Sequence, residues 1–153
     1  MENRINALCD FLNASHSSYH AVACLEELLT QHGYLRLSES CAWELEPGGK
    51  YYVVRGGTAI MAFRIPEVKP LGFLLSASHS DRPCFKVKEN AELAGAYTRL
   101  AVERYGGQLL FTWLDRPLSM AGRVLVETEQ GIESRLVDID RDLLLIPNVA
   151  IHM

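Results

Sequence analysis

A short apolar run that ends in a histidine and an aspartate is the feature that most constrains the fold of this chain. The run covers residues 72–78, and His79, Ser80 and Asp81 follow it directly. Its apolar character is too continuous for a half-exposed strand, so it predicts a central β-strand covered on both faces. In open α/β sheets, functional sites form beyond the carboxyl ends of such strands. The pattern therefore predicts an α/β fold with His79 and Asp81 at the edge of the sheet.

His79 and Asp81 are suited to a metal site, with the imidazole as ligand and the carboxylate as its orienting partner. They can meet because residues i and i+2 of an extended segment project to the same side. A structural interpretation also fits, in which His79 is a hydrogen-bonded loop residue and Asp81 belongs to a turn before Arg82-Pro83. A lone H-x-D pattern is a weak motif, so the spacing by itself favours the structural interpretation.

Length and composition limit the classes of protein to which the chain can belong. Its 153 residues, 48% of them hydrophobic and 22% charged, are typical of one soluble globular domain, or of one domain with part of another. The net charge is -4 and the basic residues are scattered, which argues against a nucleic-acid partner. No apolar stretch approaches the roughly 20 residues that cross a bilayer, so no membrane partner is expected. The N-terminus lacks signal-peptide features and the four cysteines show no disulfide-like pattern, which favours a cytoplasmic location.

Two amphipathic helices are predicted at the start of the chain, because apolar residues recur there at helical spacing. The first covers about residues 3–13. The second begins after Ser17 or Ser18, either of which can cap it, and ends at His32-Gly33. Strands are predicted to follow at residues 34–37, 50–54 and 58–63, then at 72–78, and finally at 109–113, 122–127 and 134–138.

Other candidate ligands carry weaker signals. His16 and His20 are four residues apart and could share a metal on one helical face. A cap at Ser17 or Ser18 would leave His16 outside the helix, so the structural interpretation is favoured for this pair. Asp115 could be a ligand, could pair with a nearby arginine, or could stabilise a turn. Nucleophilic serine chemistry has no support, since the G-x-S-x-G pattern is absent.

Several longer motifs occur in order along nearly the whole chain. They include Ser18-Tyr-His-Ala-Val22, Ala77-Ser-His-Ser-Asp81 with Pro83-Cys84, Phe111-Thr-Trp-Leu-Asp-Arg-Pro-Leu118, and Ile146-Pro-Asn-Val-Ala-Ile-His152. Taken together, they resemble the aspartyl aminopeptidase family of zinc metallopeptidases. Several motifs in one order are far more specific than any single motif, and they reverse the preference for a structural His79.

The resemblance implies a fold and a set of roles. Residues 1–95 would be the N-terminal part of an α/β catalytic domain, and residues 96–153 the beginning of a β-rich dimerisation domain, with a boundary placed to within about 15 residues. His79 would bind one Zn²⁺ of a two-metal centre, and Asp81 would orient it. His152 would reach the active site of a neighbouring subunit and help to hold the substrate. The activity implied is metal-assisted removal of N-terminal Asp or Glu from peptides, by a large homo-oligomer.

The chain also departs from the family pattern. Arg82 stands where a small residue is expected, which would alter the mouth of the site. The family's bridging Asp, catalytic Glu with its neighbouring Glu ligand, second-metal Asp and last His lie beyond the residues of this chain. We therefore expect a truncated chain that is inactive alone. The alternative is a non-catalytic truncated homologue that serves as an oligomerisation or interaction module.

Overall fold

The computed structural model describes residues 2–150 of the chain. They contain two α-helices and several small β-sheets, in agreement with the predicted α/β class. The described residues divide into two compact units. The first unit contains the chain up to Asp81 together with Ala121–Asp138, and the second contains Arg82–Met120 together with the described residues from Ile139 onward. Within residues 2–150, no helix has the length and apolar character needed to span a membrane.

The first unit begins with the two predicted helices. Helix α1 spans Glu2–Ala14 and helix α2 spans Ser18–Gln31. The predicted cap of α2 is confirmed, because the Ser17 side chain accepts a hydrogen bond of 3.3 Å from the amide of His20. The predicted end is also confirmed, since Gly33 follows the helix with a φ of 76° that glycine adopts at little cost.

A three-stranded sheet follows in the first unit. Strand β1 (Leu35–Arg36) runs parallel to β2 (Lys50–Arg55), which pairs antiparallel with β3 (Ala59–Arg64). The strands predicted at residues 50–54 and 58–63 are confirmed and form a hairpin, and the strong strand formers in β2 are its buried part. The buried apolar side chains of the described residues are Ala21 and Val22 of α2, and Tyr51, Tyr52 and Val53 of β2.

The second unit is built around a hairpin that the sequence did not predict. Strand β4 (Cys84–Leu93) pairs antiparallel with β5 (Arg99–Tyr105), with an irregularity between Val87 and Glu92. The Phe85 ring lies edge-on to the Trp113 ring, with their centroids 5.3 Å apart. This contact ties the hairpin to the segment that follows it.

The predicted strand at residues 109–113 is wrong, because Leu110–Trp113 form a 3₁₀-helix. The Thr112 hydroxyl donates a hydrogen bond of 2.8 Å to the Leu109 carbonyl. Such local side-chain bonds give the backbone an alternative to a strand ladder, and here they favour the helical turn.

A last hairpin belongs to the first unit. Strands β6 (Ala121–Thr128) and β7 (Gly131–Asp138) pair antiparallel along their whole length, which confirms the two strands predicted there. The Arg123 guanidinium lies 4.6 Å from the centroid of the Tyr19 ring in α2, within cation–π range. The predicted division into residues 1–95 and 96–153 concerns the domains of the family, and it stays a prediction.

The predicted central strand at residues 72–78 is wrong in this structure. The segment is assigned no strand and pairs with none of the described strands. Its large apolar side chains are almost fully solvent-exposed, with Phe73 at 91% and Leu75 at 87%. A continuous apolar run indicates that a segment tends to be buried, but a strand forms only where a partner edge is available. No such partner lies among residues 2–150.

Candidate metal site

His79 and Asp81 meet at the end of the exposed apolar segment. The imidazole Nδ1 lies 2.9 Å from Asp81 Oδ1, within hydrogen-bond distance. The His79 side chain is 91% exposed and the Asp81 side chain 37% exposed. The two residues that the sequence singled out are therefore in direct contact.

The contact has a consequence for the chemistry of the imidazole. When the Nδ1–H group of a neutral imidazole donates a hydrogen bond to a carboxylate, the free lone pair of the ring lies on Nε2. The His79 Nε2 makes no hydrogen bond to the described part of the chain and lies on an exposed side chain. This arrangement presents one nitrogen donor of the kind that zinc prefers, with its orientation set by Asp81.

Ser80, which the sequence did not single out, connects this pair to the sheet. Its hydroxyl donates a hydrogen bond of 2.8 Å to the carbonyl of Thr58, in the loop between β2 and β3. Ser80 is half-buried, whereas His79 beside it is exposed. The contact spans 22 positions along the chain, so no spacing in the sequence could have indicated it.

The other histidines predicted as weaker candidates have protein partners of their own. His16 Nδ1 bonds to the carboxylate of Asp138, and His20 Nδ1 lies 2.8 Å from the Ser17 hydroxyl. The two imidazoles are thus engaged with different groups rather than with a common centre. This agrees with the structural interpretation of the pair.

Asp115 stabilises a turn in the second unit. Its Oδ1 accepts a hydrogen bond of 2.8 Å from the Asn148 amide, and its own amide donates one of 3.0 Å to the Ile146 carbonyl. Of the alternatives open for Asp115, the turn is the one observed. His152 lies outside the described residues, so its assignment to the substrate stays a prediction.

The clearest electrostatic perturbation in the described chain lies away from this pair. The hydrogen bond from Arg55 to Glu39 holds the pKa of the Glu39 carboxyl below its usual range and raises the pKa of the Arg55 guanidinium. The Arg55 Nε lies 3.1 Å from Glu39 Oε1. Both groups are on the surface, so this ion pair is a structural feature rather than part of the candidate site.

Comparison with known proteins identifies the family. The sequence profile of the family described as aminopeptidase I zinc metalloprotease (M18) matches residues 11–153. The chain belongs to the M18 aminopeptidase family.

Individual members of the M18 family show how far the likeness extends. A probable M18 family aminopeptidase 2 of Pseudomonas aeruginosa is 46% identical over 149 residues, which cover 95% of this chain and 35% of that protein. A chain in the cryo-EM structure of the Ape4 and Nbr1 complex matches with a TM-score of 0.86 and 44% identity, over 94% of this chain and 28% of that one. The mApe1 dodecamer of Saccharomyces cerevisiae matches with a TM-score of 0.78 and 32% identity, over 92% and 34%.

These comparisons confirm the family predicted from the motifs, and M18 aminopeptidases are metallo peptide hydrolases. This M18 chain spans about a third of the length of the curated relatives that it matches, 35% in the case of the Pseudomonas protein. The family description names zinc, so the donor set can be tested against that metal. The His79 imidazole is of a type that can serve as one zinc ligand, and the Asp81 carboxylate can accept a hydrogen bond from its Nδ1. Among residues 2–150, no three His, Cys, Asp or Glu residues are grouped closely enough to hold a metal ion.

Proposed function

We propose that this chain contributes the first zinc ligand to an aspartyl aminopeptidase, which removes N-terminal Asp or Glu from peptides by metal-assisted hydrolysis. The observation that carries the proposal is the 2.9 Å contact between His79 Nδ1 and Asp81 Oδ1. It supports the roles because a metal-binding histidine commonly donates its second ring N–H to a carboxylate. Family membership supports the class of reaction.

Each residue in the proposal has a defined task. His79 would bind zinc through Nε2, while Asp81 holds the proton on Nδ1 and fixes the plane of the ring. The bound zinc pair would supply Lewis acidity and an activated water. His152 would hold the substrate in the site of a neighbouring subunit, in a homo-oligomer. A dodecameric neighbour among the solved structures supports that assembly.

We further propose that the 153 residues alone bind zinc weakly and hydrolyse no peptide. A catalytic zinc normally has three protein ligands. The described residues bring together only His79 with its carboxylate partner, and no group of three potential ligands. A cytoplasmic location is also proposed, supported by the four cysteines, all of which are free thiols in the structure.

A second candidate function is a non-catalytic oligomerisation or interaction module. It is favoured by the exposed apolar segment, in which Phe73 is 91% and Leu75 is 87% exposed. Contiguous apolar surface of this kind commonly marks a contact with another protein surface. In that case the chain would associate without contributing to catalysis.

A chimera would distinguish the two functions. The corresponding segment of the Pseudomonas aeruginosa relative, which is 46% identical, would be replaced by this chain, and the product assayed with peptides that begin with Asp, Glu or Leu. The aminopeptidase proposal predicts hydrolysis of the acidic peptides that is abolished by His79→Ala. It also predicts no loss with His32→Ala, because within residues 2–150 the His32 imidazole hydrogen-bonds only to the Leu28 carbonyl in the last turn of α2.

Three results of the chimera assay would each contradict part of the aminopeptidase proposal. Hydrolysis that survives His79→Ala would rule out His79 as a ligand. A folded and oligomeric chimera without activity would favour the interaction module. Preference for the Leu peptide would contradict the acidic specificity while leaving the reaction class intact.

A further inference from the structure

We propose that Ser80 is a positioning residue, which orients the zinc-binding face of His79 through its hydrogen bond to the β2–β3 loop. The inference rests on the proposed function, because it takes His79 as the ligand. It goes beyond that function in assigning a role to the residue between the two named groups. That role is to attach the motif to the folded part of the first unit.

Ser80 is half-buried, whereas His79 directly before it is exposed. The backbone bends at Ser80, and the side chains of His79 and Asp81 on either side of it meet at 2.9 Å. The hydroxyl between them donates to the Thr58 carbonyl at 2.8 Å. The bend and the imidazole–carboxylate pair are therefore fixed relative to the β2–β3 hairpin.

The loop that accepts this hydrogen bond is itself well held. Arg55 and Ala59 are register partners at its base, so the loop contains only Gly56, Gly57 and Thr58. The two glycines have φ values of 63° and 74°, which favour glycine in a tight turn.

The Tyr19 side chain of helix α2 packs against the same loop. A Cβ atom added to Gly57 would lie 3.3 Å from Cδ1 of Tyr19, so the ring packs closely against the loop backbone. The Thr58 carbonyl is thus a fixed acceptor. By contrast, the segment before the motif pairs with none of the described strands, and its apolar side chains are exposed. Ser80 supplies an anchor that the preceding residues lack.

The consequence for metal binding can be estimated. Without the hydroxyl, the bend at Ser80 samples more conformations, and the imidazole must be ordered again when zinc binds. A neutral hydrogen bond of this kind contributes enough that its loss weakens zinc binding by about fivefold. The fraction of His79 with its proton on Nδ1 should fall at the same time, because contact with Asp81 becomes less frequent.

The test uses the 153-residue chain and four variants. Ser80→Ala removes the donor, Ser80→Thr retains it, and Ser80→Cys keeps the size with a weaker donor. Ser78→Ala is the matched control, because Ser78 lies in the same segment but is exposed and makes no hydrogen bond within the described chain. The ¹⁵N and ¹³C shifts of the His79 ring report its tautomer, and a zinc titration followed at the same ring gives the dissociation constant.

We expect Ser80→Ala to lower the Nδ1–H tautomer fraction and to raise the zinc dissociation constant about fivefold. Ser80→Thr should restore both values, Ser80→Cys should lie between, and Ser78→Ala should match the wild type. Wild-type values in Ser80→Ala would overturn the positioning role, as would a loss in Ser80→Thr equal to that in Ser80→Ala. If zinc fails to shift the His79 signals of the wild type, the proposed weak zinc binding by the isolated chain fails, and the tautomer comparison still decides the role of Ser80.

Discussion

The change in the free energy of unfolding caused by replacing Asp115 can be estimated from two separate features of this residue. Its carboxylate accepts the hydrogen bond from the Asn148 amide at 2.8 Å. Its backbone has a φ of 53°, a region in which Asp and Asn are tolerated better than most residues. A substitution can therefore remove the acceptor, increase the backbone strain, or do both. Three variants separate these effects: one does both, one does neither, and one removes only the acceptor.

Asp115→Ala should be the most destabilising variant. It loses an exposed hydrogen bond, worth about 1 kcal/mol, and places a less tolerant residue at the positive φ at a further cost of about 0.5–1 kcal/mol. Asp115→Asn keeps the acceptor and the tolerance, and should change the free energy of unfolding by less than about 0.5 kcal/mol. Asp115→Gly loses only the acceptor and relieves the strain, so it should fall between them, at about 0.5–1 kcal/mol.

The assay combines urea unfolding, followed by Trp113 fluorescence, with hydrogen exchange at the Asn148 amide. Trp113 lies in the same compact unit as Asp115. Asp140 is the matched control, because it has a φ of 43° but makes no side-chain hydrogen bond within residues 2–150. Asp140→Ala should therefore show the strain term alone, without faster exchange at Asn148. Equal stability of Asp115→Ala and Asp115→Asn would refute the reasoning.

Three further predictions concern the first unit. In the chimera, Asp81→Ala should weaken zinc binding by about 10–100-fold in competition with a chromophoric chelator, because the imidazole loses its orienting partner. Unchanged affinity would show that Asp81 does not belong to the site. Gly57→Ala should destabilise the chain by about 1–2 kcal/mol in urea, since it combines a φ of 74° with a close ring, whereas Gly72→Ala meets nothing within 4 Å and should be neutral. The pKa of Glu39 is lowered, so its pairing with Arg55 stabilises the fold fully at pH values above 4.5, the usual pKa of a Glu carboxyl. This contribution should disappear as the pH falls through the lowered pKa. Glu39→Gln should remove that part of the acid sensitivity in pH-dependent thermal melts.

Local patterns in the sequence were sufficient for the helices and for four of the six hairpin strands. The cap at Ser17 and the end at Gly33 depend on residues within one helical turn, so their chemistry can be read directly from the chain. Strand β2 was predicted because its strand formers are consecutive, and the structure shows that three of them are buried. These elements need little information from distant parts of the molecule.

The incorrect strand predictions concern segments whose structure depends on pairing with distant parts of the chain. Strand β4 alternates apolar and polar residues over Phe85-Lys86-Val87-Lys88 and loses that alternation at Glu89, and its pairing with β5 extends the strand to Leu93. The run at residues 72–78 shows the reverse case, an apolar segment for which residues 2–150 provide no partner strand. Pairing is a property of two segments, and composition describes only one.

The same distinction explains what could be predicted of the candidate site. His79 and Asp81 are two residues apart, and their contact at 2.9 Å follows from the local backbone. The contact is present although the preceding segment pairs with none of the described strands. Ser80 depends instead on Thr58, 22 residues away, and on a loop held by its glycines and by Tyr19. The contact between His79 and Asp81 can thus be predicted from the motif, whereas the orientation of the proposed ligand depends on tertiary contacts. We therefore expect substitutions in the β2–β3 loop to alter the tautomer of His79 even though none of them touches its imidazole.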